Sequence, residues 1–219
     1  YIRKFFSYSI PVIISDLILG ISLNITASMI GHIGSAFTAA YAIISTMLRI
    51  VVAFTQGLGN AGSILIGYTL GEQDLDTAQA QGVTCAYLSL ALGAAASLVI
   101  QLIGIPYINY YGLQPETKEV AYVLLRAAGV DTIFMAGANM LTKGVLRGGG
   151  DTKYLMVMDN IFQWLVSIPM GYLAAFVLHL PPFWIYLFLQ SNRLLKVVFG
   201  LMRLHSRKWM HIILPEKTG

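Results

Sequence analysis

Residues 83–106 read VTCAYLSLALGAAASLVIQLIGIP, a run with no charged side chain. A helix rises 1.5 Å per residue, so this run crosses the roughly 30 Å hydrocarbon core of a bilayer. Working outward, five more apolar stretches of similar length follow the same pattern. The six expected spans are 6–30, 45–70, 83–106, 119–143, 155–178 and 182–203, the last two meeting at His179-Leu180-Pro181-Pro182. Backbone groups in lipid must be hydrogen-bonded internally, which leaves helices or a closed barrel. The ten-residue alternation of barrel strands is absent, so an all-α membrane protein is expected, a bundle of six transmembrane helices.

Composition agrees. Hydrophobic residues make up 57% of the chain and charged residues 11%, with a mean hydropathy of +0.70. Soluble domains carry about 25% charged residues. Basic residues cluster at Arg3-Lys4, at Lys143, Arg147 and Lys153, and at Arg203, Arg207 and Lys208. The connections near 31–44, 106–118 and 179–182 hold only Lys118. The positive-inside rule then makes both termini cytoplasmic, in a multi-pass protein of the plasma or inner membrane. The acidic connection at 71–82 falls on the cytoplasmic side, and acids weigh little in that rule. Cys85 stands alone, and no cysteine-histidine spacing suggests a metal. The chain begins at Tyr1 without a signal-peptide pattern, which reads as a piece of a longer chain or a processed one. One domain is expected over 1–219.

Local signals refine the spans. Gly71 ends the second helix, and 72–81 read as a short amphipathic helix with acids in its first turn. Small residues around Gln56-Gly57-Leu58-Gly59-Asn60-Ala61-Gly62 invite close helix approach. Pro106 closes span three, Pro115 opens span four, and Pro169 should kink span five. Gly148-Gly149-Gly150-Asp151 is a turn; no phosphate-loop lysine or preceding strand accompanies it. The tail Arg207-Lys208-Trp209 suits the headgroup layer.

Polar side chains inside the spans carry the chemistry. Asp16 and Asp131 lie near mid-span, where a charged side chain costs about 2.5–3.5 kcal/mol on insertion scales. Such a group needs a partner, water or a function, and a carboxylate that takes up and releases a proton is what a coupled carrier requires. Pairing with Arg126 is the structural alternative for Asp131. Asp159 near the start of span five also suits the helix dipole. Asn24, Gln56, Asn60, Asn139 and Gln163 serve as ligand contacts or as interhelical hydrogen-bond partners. Lys143 and Arg147 lie near an interface, where long stems snorkel. Arg193 and Lys196 lie deeper in span six and either pair with Asp159 or line a cavity. The residues contain no nucleophile–base set and no nucleic-acid surface, so an enzyme is not expected, nor a cofactor or a metal.

The segment from Asn139 to Lys153, with Leu146-Arg147-Gly148-Gly149-Gly150-Asp151-Thr152 at its centre, resembles the multidrug and toxic compound extrusion (MATE) family. Pro11 to Gly34, Gly57 to Glu72, and Trp164 through Pro169-Met170-Gly171 to Pro182 are similar to other parts of one lobe, so the resemblance covers nearly the whole chain. It implies the carboxy-terminal six-helix lobe of a twelve-helix transporter, with the amino-terminal lobe as its partner. It further implies alternating-access export of organic cations or amphipathic drugs in exchange for H⁺ or Na⁺. Asp16, Asp131, Asn139, Asn24, Gln56 and Asp159 are then the candidates for ion or substrate contact. The sequence departs from the family pattern where Na⁺-coupled relatives carry acids: Ile18, Leu19, Ala136 and Asn192 stand there, and Asp16 and Asp131 sit several residues earlier on the same helices. A lipid-linked sugar flippase of the same superfamily would use Lys143, Arg193 and Lys196, and an isolated lobe would not transport.

Overall fold

The computed structural model describes residues 2–210, with side chains at Ile13 and from Leu17 to Met210. All elements among the described residues are helical. They are α1 (Ile2–Ile33), α2 (Ser35–Gly71), α3 (Leu75–Tyr110), α4 (Pro115–Asn139), α5 (Thr152–Ile161), α6 (Ile168–Tyr172), α7 (Pro182–Leu189) and α8 (Ser191–His205). Wide π-type turns extend α4 over Met140–Leu146, join α5 to α6 over Phe162–Ser167 and extend α6 over Leu173–Val177. Four stretches are long and apolar enough to cross a membrane: Ser35–Gly71, Leu75–Tyr110, Pro115–Leu146 and Thr152–Val177. Leu17–Ile33 of α1 is a shorter apolar stretch.

The helices run longer than the hydropathy pattern suggests. The connection expected near 31–44 shrinks to Gly34, and α2 begins at Ser35. The amphipathic stretch expected over 72–81 is no separate helix; from Leu75 it is the first turns of α3. Asp74 starts that helix by accepting the Thr77 N–H on Oδ1 at 3.0 Å, which satisfies an amide that has no partner inside the helix. Pro106 lies within α3, which continues to Tyr110. Asp159 lies in the last turns of α5, which begins at Thr152, so the dipole argument for it fails. The sixth span is broken at Gln190, whose φ of −103° and ψ of 9° interrupt it. The pieces have 8 and 15 residues, so neither crosses a bilayer alone.

A kink is expected at Pro169; the structure shows wide π-type turns on both sides of it. Proline lacks an N–H and its ring crowds the carbonyl one turn back. The helix responds upstream: the Ile168 N–H bonds the Gln163 carbonyl, a π-type step. Such steps re-aim side chains and recur at functional positions.

The described residues fall into two compact units. The first lies within Tyr1–Leu48, Leu98–Asp131 and Met156–Asn192; the second lies within Arg49–Ser97, Thr132–Leu155 and Arg193–Gly219. In the first, α1 packs on α6 and on the π turn before it, and α6 packs on α7. Gly104 admits the Leu125 side chain, and Gly171 admits Leu189. In the second, the small residues of α2 do allow close approach. A Cβ on Gly59 would lie 3.1 Å from the Asn139 carbonyl oxygen, and one on Gly62 would lie 2.9 Å from the Met140 sulfur. Gly93 of α3 abuts Ala136, and Gly200 of α8 abuts Leu141.

Polarity is distributed as lipid demands. Asp131, Thr132, Gln163, Ser22 and Ser167 are buried, whereas Ile50, Ile64, Leu102 and Leu165 are exposed. Trp209 is the exception to the expected headgroup placement. It is completely buried, because the chain reverses after α8 through Arg207 (φ 56°) and the indole N–H donates to Gln79 Oε1 at 3.0 Å.

Candidate ion and substrate site

The first unit contains the most concentrated set of buried polar contacts among the expected site residues. Asp131, 2% exposed, lies in the carboxy-terminal half of α4. Its Oδ2 accepts the Tyr186 hydroxyl at 3.4 Å. The expected pairing with Arg126 is not formed among the described residues; Arg126 is exposed. Tyr186, in α7, is itself 2% exposed, and its ring lies 5.9 Å from that of Tyr41 in α2. Gln190, at the break between α7 and α8, donates to the Tyr41 hydroxyl at 3.4 Å. The broken span thus places a side-chain amide where a regular helix would run on.

A second set lies in the same unit. Gln163, 4% exposed and carried by the π turn, accepts from Asn192 Nδ2 on its Oε1. Its Nε2 donates to Thr26 of α1 at 3.4 Å. Thr26 donates in turn to the Ser22 carbonyl at 3.0 Å. Ser167, the last residue of that π turn, donates to the Leu189 carbonyl at the end of α7. Trp164 Nε1, Ser191 Oγ and Asn192 Oδ1 are buried with no hydrogen-bond partner among the described residues. Native interiors usually pair such atoms.

The remaining expected residues are dispersed. The Asp16 side chain lies outside the described residues; its backbone is in α1. Asn24 is exposed and bonds only its own helix, Nδ2 to the Gly20 carbonyl at 2.9 Å. It lies on a groove of about 520 Å³ with Ile13, Leu17, Gly20 and Ile21. Asp159 is half-buried near the end of α5. In the second unit, Asn139 donates to Thr55 of α2 at 3.0 Å, and Gln56 is its half-buried neighbour in sequence. Asn139 therefore acts as the interhelical tie that polar residues provide in membranes. Among the described residues no group of three or more His, Cys, Asp and Glu is placed to hold a metal ion.

Tyr41, Tyr186 and Gln190 are additions to the sequence-derived set. Both tyrosines sit in apolar runs and count there as hydrophobic residues; only their hydroxyl partners reveal them. Gln190 is hidden by the expectation of an unbroken sixth span.

The family model MatE matches residues 11–173, well over half of the chain. The chain belongs to the MatE family. Among curated relatives, the multidrug resistance protein MdtK of Edwardsiella ictaluri is 22% identical over 84% of this chain and 41% of its own length. A MOP superfamily transporter from Pyrococcus furiosus, described as having a binding pocket of reversed polarity that suggests a different function, has the same fold. It aligns with a TM-score of 0.81 at 20% identity over 95% of this chain and 47% of its own. A multidrug resistance MATE family transporter solved in an outward-facing conformation aligns with a TM-score of 0.77 at 21% identity, again over 95% and 47%. The chain spans under half the length of these relatives and has the all-α membrane fold of one half of a MATE transporter.

Proposed function

We propose that this MatE chain is a single six-helix lobe, the carboxy-terminal half of a secondary active multidrug exporter. With an amino-terminal lobe it moves organic cations or amphipathic drugs out of the cell by alternating access, in exchange for H⁺ or Na⁺. Both of its termini lie on the cytoplasmic face of the plasma or inner membrane. The observation that carries this reading is Asp131. A nearly inaccessible carboxylate inside an apolar membrane helix, held by a tyrosine hydroxyl, is costly unless its charge is used. Binding and release of a cation there has a different free energy in the two access states, which is what coupling requires.

Asp131 is accordingly the ion- or proton-binding group of this lobe, and Asp16 is the second acid of the path. Asn24, exposed beside the α1 groove, contacts substrate; Asp159 supplies negative charge within the same unit. Asn139 and Gln56 keep a structural part through the contact with Thr55. Neither a cofactor nor an enzymatic step enters this scheme.

A second reading has its own support. Lys143, Arg193 and Lys196 are half-buried in the second unit, and cations in a cavity suit the pyrophosphate of a lipid-linked sugar. An isolated lobe that does not transport is the third possibility. Ethidium efflux from vesicles containing the protein encoded by the natural gene separates them. Efflux driven by an imposed pH or Na⁺ gradient supports the antiporter and identifies the ion. Absence of efflux under both gradients overturns the antiporter; movement of a lipid-linked pyrophosphate sugar then favours the flippase, and movement of neither favours the isolated lobe.

A further inference from the structure

The break between α7 and α8 carries no Pro or Gly, yet the fold supports it from more than one side. Gln190 closes α7 with its N–H shared between the Tyr186 and Leu187 carbonyls, at 3.1 and 3.2 Å. The Leu189 carbonyl accepts the hydroxyl of Ser167, which is completely buried. Gly171 leaves the room that Leu189 occupies, for a Cβ there would lie 2.4 Å from the Leu189 Cδ2. Interrupted membrane helices are tolerated where the surrounding protein satisfies the freed backbone groups.

What the break delivers is a clamp on Tyr41. Tyr186 and Gln190 are one helical turn apart, and residues so spaced share a face. Both meet the same side chain of α2. The Tyr186 ring lies 5.9 Å from that of Tyr41 and is tilted by 48°, and the Gln190 amide donates to the Tyr41 hydroxyl at 3.4 Å. One turn back on α2, Phe37 is 4% exposed and stacks on Tyr41, with centroids 6.4 Å and planes 15° apart. Tyr41 is thus held by a ring on either side and by an amide at its hydroxyl. The ladder ends at Asp131, whose Oδ2 accepts the Tyr186 hydroxyl at 3.4 Å. That is long for an O–H···O bond, so a few tenths of an ångström in the seat of the Tyr186 ring decide how strongly it is made. All of these residues lie in the first unit.

We propose that Tyr41 and Gln190 are positioning residues of the Asp131 site. They seat the Tyr186 ring so that its hydroxyl meets the carboxylate, and the break at Gln190 serves to bring its amide to Tyr41. The inference rests on the reading of Asp131 as the ion-binding group. It gives the interrupted helix a task at that site: side chains that are themselves locked hold a functional group in its working geometry.

The test uses the protein encoded by the natural gene and three variants of similar shape, Tyr186→Phe, Tyr41→Phe and Gln190→Met. The first measurement is the rate at which a hydrophobic carbodiimide modifies Asp131, followed by mass spectrometry of the peptide that carries it. The reagent attacks protonated carboxyls in apolar surroundings, whereas a hydrogen bond donated to a carboxylate favours its charged form. Tyr186→Phe should therefore raise the rate threefold or more, and Tyr41→Phe and Gln190→Met should each raise it twofold or more. Added to Tyr186→Phe, neither should raise it further, because both act through that hydroxyl. Wild-type rates in any of the three, or increments that persist undiminished without the Tyr186 hydroxyl, overturn the proposal. If Tyr41→Phe or Gln190→Met fails to fold, the other carries the same comparison. The second measurement is the dependence of ethidium efflux on the concentration of the coupling ion. Tyr41→Phe and Gln190→Met should move its midpoint twofold or more; slower efflux with an unmoved midpoint is a packing effect and overturns the positioning role. If the wild type exports nothing, or Asp131→Asn exports undiminished, the underlying reading fails, and the labelling rates decide the ladder by themselves.

Discussion

Asp131 and Tyr186 are the residue pair on which most depends. Tyr186→Phe removes one buried donor to the Asp131 carboxylate, a loss of about 1 kcal/mol. Thermal unfolding in detergent should register it as a clear fall in the midpoint, and an unchanged midpoint would mean the 3.4 Å contact is not used. Asp131 was legible in the sequence because an acid in an apolar run is conspicuous. Its partner was not, because the two are joined across separate helices and tyrosine reads as apolar. Trp209 misled for the related reason that a tryptophan beside basic residues matches a headgroup anchor, and only the Gln79 amide reveals its burial.

At the level of elements, the close helix contacts follow from small residues. Gly93→Val would force side-chain atoms into a gap where even a Cβ would lie 2.7 Å from that of Ala136 and 3.2 Å from the Ile133 backbone. Overpacking of this kind costs about 1–3 kcal/mol, and chemical denaturation in mixed micelles should show it; no change would place α3 and α4 further apart than described. The start of α3 has a pH signature. The Thr77 hydroxyl, then its N–H, hold the Asp74 carboxyl below the usual carboxylate range. A depressed folded-state value means the cap's contribution is complete above the ordinary carboxylate range and is lost as pH falls through the lowered value. Amide exchange at Thr77, compared between Asp74 and Asp74→Asn, should therefore differ at neutral pH and converge in strong acid. The ends of helices were hard to read because apolar composition marks the membrane-facing part of a helix, whereas α2 and α3 continue past it through polar turns. The break at Gln190 was illegible because no Pro or Gly marks it.

For the whole molecule, apolar side chains facing outward and polar ones buried identify the solvent as lipid, and the family match and half-length structural likeness place the chain as one half of a MATE fold. That much was readable from hydropathy and the order of motifs. Which polar side chains line a cavity was not, because both lipid and neighbouring helices are apolar and helical periodicity cannot tell a cavity from a contact. The most direct test of the account is ethidium efflux under an imposed pH or Na⁺ gradient by the protein encoded by the natural gene, compared between wild type, Asp131→Asn and Asp16→Asn at equal folded amounts. The account predicts gradient-driven efflux in the wild type and its loss, tenfold or more, in Asp131→Asn, with Asp16→Asn also impaired. Undiminished gradient-driven efflux in Asp131→Asn would contradict it.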